Sequence, residues 1–183
     1  MLVELGTSVF ALTTSLGAAR VELLADDPAA AETLLARDLD SLEAIGERYF
    51  RSTVAGLHAH ALAGIGELDR AATSAALARE LADPDDLEAQ ILWRSAEAKV
   101  TAVRGAPDEA VRLATEAVDL ASQTVDIVLH ADALMDLATV MATLGRDAEA
   151  GPPVREALLL YERKGATAAV VRARRMLEGA AVG

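Results

Sequence analysis

The chain of 183 residues repeats its helix punctuation at a nearly constant interval of 39 to 40 residues. In each of four units a turn-forming residue is preceded by alanine seven positions earlier and followed by alanine five positions later. A small residue at a fixed place lets two helices approach closely, so this pattern predicts units of two helices that stack on their neighbours. The turn residues are Asp26, Gly66, Gly105 and Gly145; the preceding alanines are Ala19, Ala59, Ala98 and Ala138; the following ones are Ala31, Ala71, Ala110 and Ala150.

Such a repeat predicts an all-α solenoid, a single domain over 1–183 with about four helix pairs and a C-terminal capping helix. Proline and carboxylates mark several helix starts, as in "DDP" at 26–28 and "APDEA" at 106–110. The segment "GPP" at 151–153 interrupts the fourth unit, and we expect its second helix to restart at the prolines after a bend. The predicted helices are 7–25, 28–44, 47–65, 67–82, 86–104, 107–122, 125–144, 152–164 and 167–179, and the units are 7–44, 47–82, 86–122 and 125–164.

Charge and composition exclude several functions. The formal charge of -12 repels nucleic acid and anionic membrane surfaces, so we expect neither as a partner. With no cysteine, the chain has no disulfide, thiolate metal site or cysteine nucleophile. Its longest uncharged stretch near the N-terminus is too short to span a membrane, and no basic segment precedes it, so we expect a cytoplasmic protein.

The motif of Ala98, Gly105 and Ala110 resembles the tetratricopeptide repeat (TPR). This family has a small residue where the helices cross, a glycine at the corner and an alanine early in the second helix. The resemblance implies a right-handed superhelix. The period here exceeds the usual 34 residues, so each helix should be longer by part of a turn. The family's usual tryptophan and its proline after the second helix are missing.

A more specific resemblance covers about residues 18–178 and rests on "LEAIGER", "DDLEAQILWR", "ADALMDLA" and "LYERKG". These segments are similar to the C-terminal TPR region of bacterial, mainly actinobacterial, regulatory proteins with an adenylate or guanylate cyclase domain and an AAA-type ATPase module. The resemblance implies a regulatory module whose catalytic domains lie elsewhere, and the chain has no G-x-x-x-x-G-K-[ST] phosphate loop. We therefore expect a non-enzymatic fragment or relative of a larger protein.

The two ends of the chain have different chemistry. Segment 2–10 is apolar where a solenoid end is normally polar, which predicts that upstream repeats or a second copy of the chain, as a homodimer, cover it. At the other end, Arg172, Arg174 and Arg175 are interpreted as the solvated face of the terminal helix rather than an anion site.

Candidate binding positions follow from the groove register of tetratricopeptide repeats, transferred to the small residue of each unit. For Trp93 we favour packing over a role as a contact hot spot. Asp132 and Asp136 share a helix face at a cost in repulsion unless a basic group meets them, and we favour a solvated face. The candidate partner or ligand contacts are Arg20, Thr53, His60, Trp93, Arg94, Ser95, Lys99, Asp132, Asp136 and Thr139.

Metal and cofactor sites are not predicted. His58 and His60 are two positions apart and so point to nearly opposite sides of a helix, while metal pairs use a spacing of three or four. His130 is interpreted as a partly exposed polar residue. No serine lies in a nucleophile elbow.

The sequence thus predicts a non-catalytic module that contacts a protein or peptide partner, including other domains of its parent protein. The alternative is a sensor in which a small molecule or short peptide enters the groove and shifts a conformational equilibrium. A deep pocket between Thr53, Ser95, Lys99 and Asp132 would favour the sensor.

Overall fold

The computed structural model describes residues 15–180, and these form helices joined by short turns, with no strand. The predicted start of the first helix near residue 7 and the apolar segment 2–10 lie outside the described residues. From residue 28 onward the helices match the predicted bounds within two residues, except at the start of α8. The helices are α1 (15–24), α2 (Pro28–Ala44), α3 (Tyr49–Gly64), α4 (Leu68–Leu81), α5 (Leu87–Val103), α6 (Pro107–Ala121), α7 (Ile127–Thr143), α8 (Asp147–Lys164) and α9 (Thr167–Ala180).

All four predicted turn residues adopt the left-handed backbone conformation. Their φ angles are 66° at Asp26, 82° at Gly66, 80° at Gly105 and 71° at Gly145. Glycine adopts this conformation without strain, and aspartate tolerates it better than most residues, so the repeat marks where each odd-numbered helix ends.

The repeated alanines are the close-approach positions of the helices. Seven of the eight are fully buried, and Ala150 is 3% exposed. Ala98, for example, belongs to a buried cluster with Ala78, Ala110 and Ala114, where larger side chains would force the helices apart. The predicted role of these alanines is confirmed.

Contacts between helices follow two rules. Each helix from α2 to α9 contacts its sequence neighbours, and the odd-numbered helices α3, α5 and α7 also contact one another in order. Helices α3, α5 and α7 therefore lie side by side in one layer. This layer places residues of distant units side by side.

The prediction that the second helix of the fourth unit restarts at Pro152 is wrong. Helix α8 begins at Asp147 and continues through Pro152 and Pro153. The two prolines remove the backbone donors for the carbonyls of Ala148 and Glu149, but both of these residues are exposed, so water can satisfy those carbonyls.

Among the described helices, none combines the length and the apolarity that crossing a membrane requires.

Candidate functional site

A cavity of about 390 Å³ lies between the odd-numbered helices. All five of them, from α1 to α9, contribute side chains to its wall. The wall combines a charged part with an apolar part. The polar lining residues are Arg20, Asp26, His60, Lys99, Asp132, Asp136, Thr139 and Arg172; the apolar side chains are Leu23, Leu24, Pro28, Leu57, Leu92, Val128, Leu129, Met135 and Met176.

Lys99 joins helices α3 and α7 through its ammonium group. It forms an ion pair with Asp136 of α7 and lies 2.9 Å from Nδ1 of His60 on α3. The other ring nitrogen of His60, Nε2, lies 3.1 Å from the carbonyl oxygen of Leu92. Because a carbonyl can only accept, Nε2 carries the proton and Nδ1 accepts from Lys99. His60 is therefore neutral in this arrangement.

Burial and neighbouring charges shift the pKa values of this group in opposite directions. Burial, assisted by the charge of Lys99, lowers the pKa of His60 from 6.5 to about 4. Burial alone would raise the pKa of Asp136, but Lys99 and the other nearby positive groups outweigh it and lower that pKa below its usual value. At neutral pH the group consists of an ammonium, a carboxylate and a neutral imidazole.

A second polar group lies one helical turn away on α7. Oδ1 of Asp132 accepts hydrogen bonds from the hydroxyl of Tyr161 and from Nη2 of Arg172, the latter at 3.1 Å. Arg172 also donates to the Tyr161 oxygen at 3.1 Å. Burial raises the pKa of Asp132 despite the charge of Arg172, and burial together with the Asp132 charge raises the pKa of Tyr161. The tyrosine therefore stays protonated and donates.

Six of the ten predicted contacts line the cavity: Arg20, His60, Lys99, Asp132, Asp136 and Thr139. Arg20 is paired with Glu88 of α5, and the hydroxyl of Thr139 donates to the Met135 carbonyl at 2.9 Å. The interpretation as a solvated face is wrong for Asp136, which is paired with Lys99 and only 18% exposed, whereas Asp132 is paired with Arg172 but keeps 38% of its side chain exposed.

The other four predicted contacts lie elsewhere. Thr53 and Ser95 are 5% and 2% exposed and do not line the cavity. Trp93 packs in the core and donates to Oε1 of Gln90 at 3.0 Å, so the packing interpretation is confirmed. Arg94 covers the Trp93 ring at 4.1 Å from its centroid and pairs with Glu116 of α6, away from the cavity.

Arg172, predicted to lie on the solvated face of α9, keeps 34% of its side chain exposed but also contacts Asp132 and Tyr161. Arg174 pairs with Glu162 and is exposed, as is Arg175, so for these two the solvated interpretation is confirmed. The repeat period itself indicates that Arg172 belongs to the site. Arg172 lies 40 residues after Asp132, which is one full period further along the groove register. The groove register therefore extends to the terminal helix α9.

The histidines do not form a metal site. Nδ1 of His58 lies 2.9 Å from Oγ of Ser74, and its Nε2 lies 3.6 Å from a Glu32 oxygen, on a different side of α3 from His60. His130 is partly exposed as predicted. Within residues 15–180 no group of three or more histidine and acidic side chains is placed to hold a metal ion.

In comparisons with known proteins, no family model matches this chain and no curated protein matches it significantly.

Proposed function

We propose that this chain is a non-catalytic regulatory module, a TPR-like right-handed superhelix that binds a small-molecule effector in the cavity between its odd-numbered helices. The cavity carries the proposal. Its volume of about 390 Å³ lies within the usual range of ligand pockets, and it combines an apolar wall with a few converging polar groups. A sensor is expected to have a pocket between Thr53, Ser95, Lys99 and Asp132. Two of these residues, Lys99 and Asp132, line the cavity.

The position of the cavity supports a regulatory role. Leu24 of α1 and Met176 of α9 lie on the same cavity, although they come from opposite ends of the described chain. A ligand that contacts both ends binds best to one relative placement of the helices, and it therefore shifts the conformational equilibrium toward that placement. Other domains of a cyclase or ATPase parent, or a protein partner, would sense the shift through the outer surface of the module.

The polar groups of the cavity are arranged for binding rather than turnover. The imidazole of His60 is engaged at both nitrogens, and the Tyr161 hydroxyl donates to Asp132. The Thr139 hydroxyl donates to the backbone carbonyl of Met135. These contacts support a non-catalytic module.

The experiment is a thermal-shift screen followed by calorimetry, with amino acids, alkylamines, carboxylates, nucleosides and short alcohols as probes. Thr139→Trp places an indole at the cavity rim, while Thr143→Trp makes the same change one turn further along α7, outside the cavity wall. We expect a compound that raises the melting temperature of the unsubstituted protein and of Thr143→Trp but not of Thr139→Trp. If no compound distinguishes the two variants, or if the chain alone turns over a probe, the proposal is wrong.

A further inference from the structure

The charged part of the cavity holds two pairs of opposite charge about one helical turn apart. Asp132 and Asp136 are four residues apart on α7, a spacing that places their Cβ atoms roughly 5 to 6 Å from each other. Arg172 meets the first and Lys99 the second. Positive and negative groups therefore alternate over a short distance.

Both kinds of group retain hydrogen-bonding capacity toward the cavity. Oδ2 of Asp132 and Oδ2 of Asp136 accept no hydrogen bond from the described residues, and neither atom is sealed from solvent. Lys99 uses two of its three N–H donors, and Nη1 of Arg172 has no acceptor among residues 15–180. A ligand that uses this capacity fully must bring both donors and acceptors.

The balance of positive and negative side chains in the cavity indicates whether a charged or a zwitterionic ligand fits it. Two cations, Lys99 and Arg172, face two carboxylates, Asp132 and Asp136, and His60 is neutral because its Nδ1 accepts from the lysine. Of the remaining charged lining residues, Arg20 is compensated by its ion pair with Glu88, and Asp26 is exposed in the α1–α2 turn. A singly charged ligand would leave one charge uncompensated in a partly desolvated site, whereas a zwitterion would not.

The other side chains that line the cavity are mostly apolar. Leu57 of α3, Leu92 of α5, and Met135 and Met176 from α7 and α9 are among them. Methionine adapts its shape to its neighbours, so this part of the wall accommodates aliphatic or aromatic groups of several shapes. A ligand that fills the cavity therefore has an apolar part next to its charged part.

From this arrangement we propose that the cavity binds a free α-amino acid with an apolar side chain. The ammonium group binds Asp132 and Asp136, the carboxylate binds Arg172 and Lys99, and the side chain packs on the leucines and methionines. An α-amino acid carries both charges on one carbon, which matches the short distance between the two pairs. This assignment rests on the effector function proposed above and specifies the ligand.

The test is calorimetric titration with L-leucine, L-methionine and L-phenylalanine, each compared with its amide, which lacks the carboxylate, and its N-acetyl form, which lacks the ammonium. We expect at least one free amino acid to bind, with both blocked forms weaker by about tenfold or more, the effect of losing a charge-assisted contact. Glycine, without an apolar side chain, should bind more weakly than any of the three. Thr139→Trp should weaken binding and Thr143→Trp should not.

The outcomes separate this inference from the broader function. If an amide or an N-acetyl form binds as tightly as the free amino acid, or if none of the three amino acids binds, the zwitterion assignment is overturned. A hit of another chemical class in the thermal-shift screen, blocked only by Thr139→Trp, would then leave the effector function standing. If no probe of any class binds, both proposals fail.

Discussion

At the scale of single residues, His60 shows how burial and one neighbouring charge define a protonation state. Its ring lies between the ammonium of Lys99 and the carbonyl of Leu92, and protonation would place a second positive charge beside the first. Asp136, 3.6 Å from Nδ1, compensates only part of this cost because it is already paired with Lys99, and Arg172 adds a further positive charge nearby. The neutral ring is therefore part of the folded structure.

We predict that His60 makes the protein less stable in mild acid. Its folded-state pKa is about 4 and its usual value 6.5, so the unfolded chain takes up a proton first as the pH falls through that window. The free energy of unfolding should therefore decrease between pH 6.5 and 4, by about 2 to 3 kcal/mol from this residue. His60→Gln retains a donor and an acceptor but does not titrate. Urea unfolding of both proteins at several pH values checks this, and parallel pH profiles would contradict it.

A second prediction concerns Lys99. Lys99→Met leaves Asp136 without its cation, and the two side chains are only 20% and 18% exposed. We expect the free energy of unfolding at pH 7 to fall by about 1 to 3 kcal/mol, and the loss to shrink in acid as Asp136 becomes protonated.

Two variants serve as controls for the Lys99 prediction. Lys164→Met removes the exposed lysine at the end of α8 and should change little. Adding Asp136→Leu to Lys99→Met should recover part of the lost stability, because no unpaired carboxylate remains. If the two lysine substitutions lowered the free energy of unfolding equally in urea, the ion pair of Lys99 with Asp136 would not stabilise the fold.

At the scale of helices, close approach is achieved by residues with small or absent side chains. Alanines form the contacts between successive helices, and Gly56 allows α3 to approach α5 at Leu92. A Cβ atom added at Gly56 would lie 2.7 Å from Cβ of Leu92. Because Leu92 also lines the cavity, this contact affects the shape of the site.

We predict that two glycine-to-alanine substitutions change the free energy of unfolding in opposite directions. Gly56→Ala should lower the free energy of unfolding. The added methyl group forces α3 and α5 apart, and this costs more free energy than the gain in helix propensity contributes. Gly17→Ala in α1 should raise it by up to about 1 kcal/mol, since no described atom lies within 4 Å of the added Cβ. Thermal unfolding monitored by circular dichroism measures both, and stabilisation by Gly56→Ala would contradict the close approach.

A substitution at Ala98 tests whether α5 and α6 cross closely at this residue. Ala98→Leu should lower the free energy of unfolding by about 1 to 3 kcal/mol through overpacking. Ala76→Leu, in the middle of α4 on its exposed face, is the matched control and should stay within about 0.5 kcal/mol of the unsubstituted protein. Equal losses for the two variants in urea unfolding would mean that the repeat register is wrong.

At the scale of the whole molecule, each helix depends mainly on its neighbours in the chain. Helix α5 contacts α3, α4, α6 and α7, whereas α9 contacts α8 as its main helical partner. The ion pair of Arg20 with Glu88 and the bonds of Arg172 to Asp132 connect the outer helices to the cavity. Effector binding at the cavity should therefore stabilise most strongly the helices that have the fewest other contacts.

We predict a gradient of hydrogen-exchange protection along the chain. Amides of α5 should exchange most slowly and those of α9 faster, because opening a terminal helix breaks only one helix interface. An amino acid bound in the cavity should slow exchange in α9 and α1 more than in α5. Mass spectrometry of exchanged peptides checks this, and protection that is uniform along the chain would contradict it.

Local chemistry in the sequence determined the helices, their turns and the close-approach alanines. Left-handed turns require residues such as Gly66 and Gly105, close crossings require residues such as Ala98, and both recur at one period. The groove register identified five of the six cavity residues, because one period moves a residue to the equivalent place on the next odd-numbered helix, and the spacing of Asp132 and Asp136 identified the sixth. The turns and crossings depend on backbone geometry and spacing, whereas the groove register is what the resemblance to tetratricopeptide repeats implies.

Only the tertiary structure decided which of the candidate side chains meet. Lys99 and Asp136 lie on different helices, and whether they are solvated or paired depends on how closely α5 approaches α7. Tyr161 of α8 and Arg172 of α9 join the site because both reach Asp132 on α7, whereas Thr53 and Ser95 are buried away from the cavity. Periodicity places residues on a helix face, but burial and charge pairing arise only when the faces are brought together.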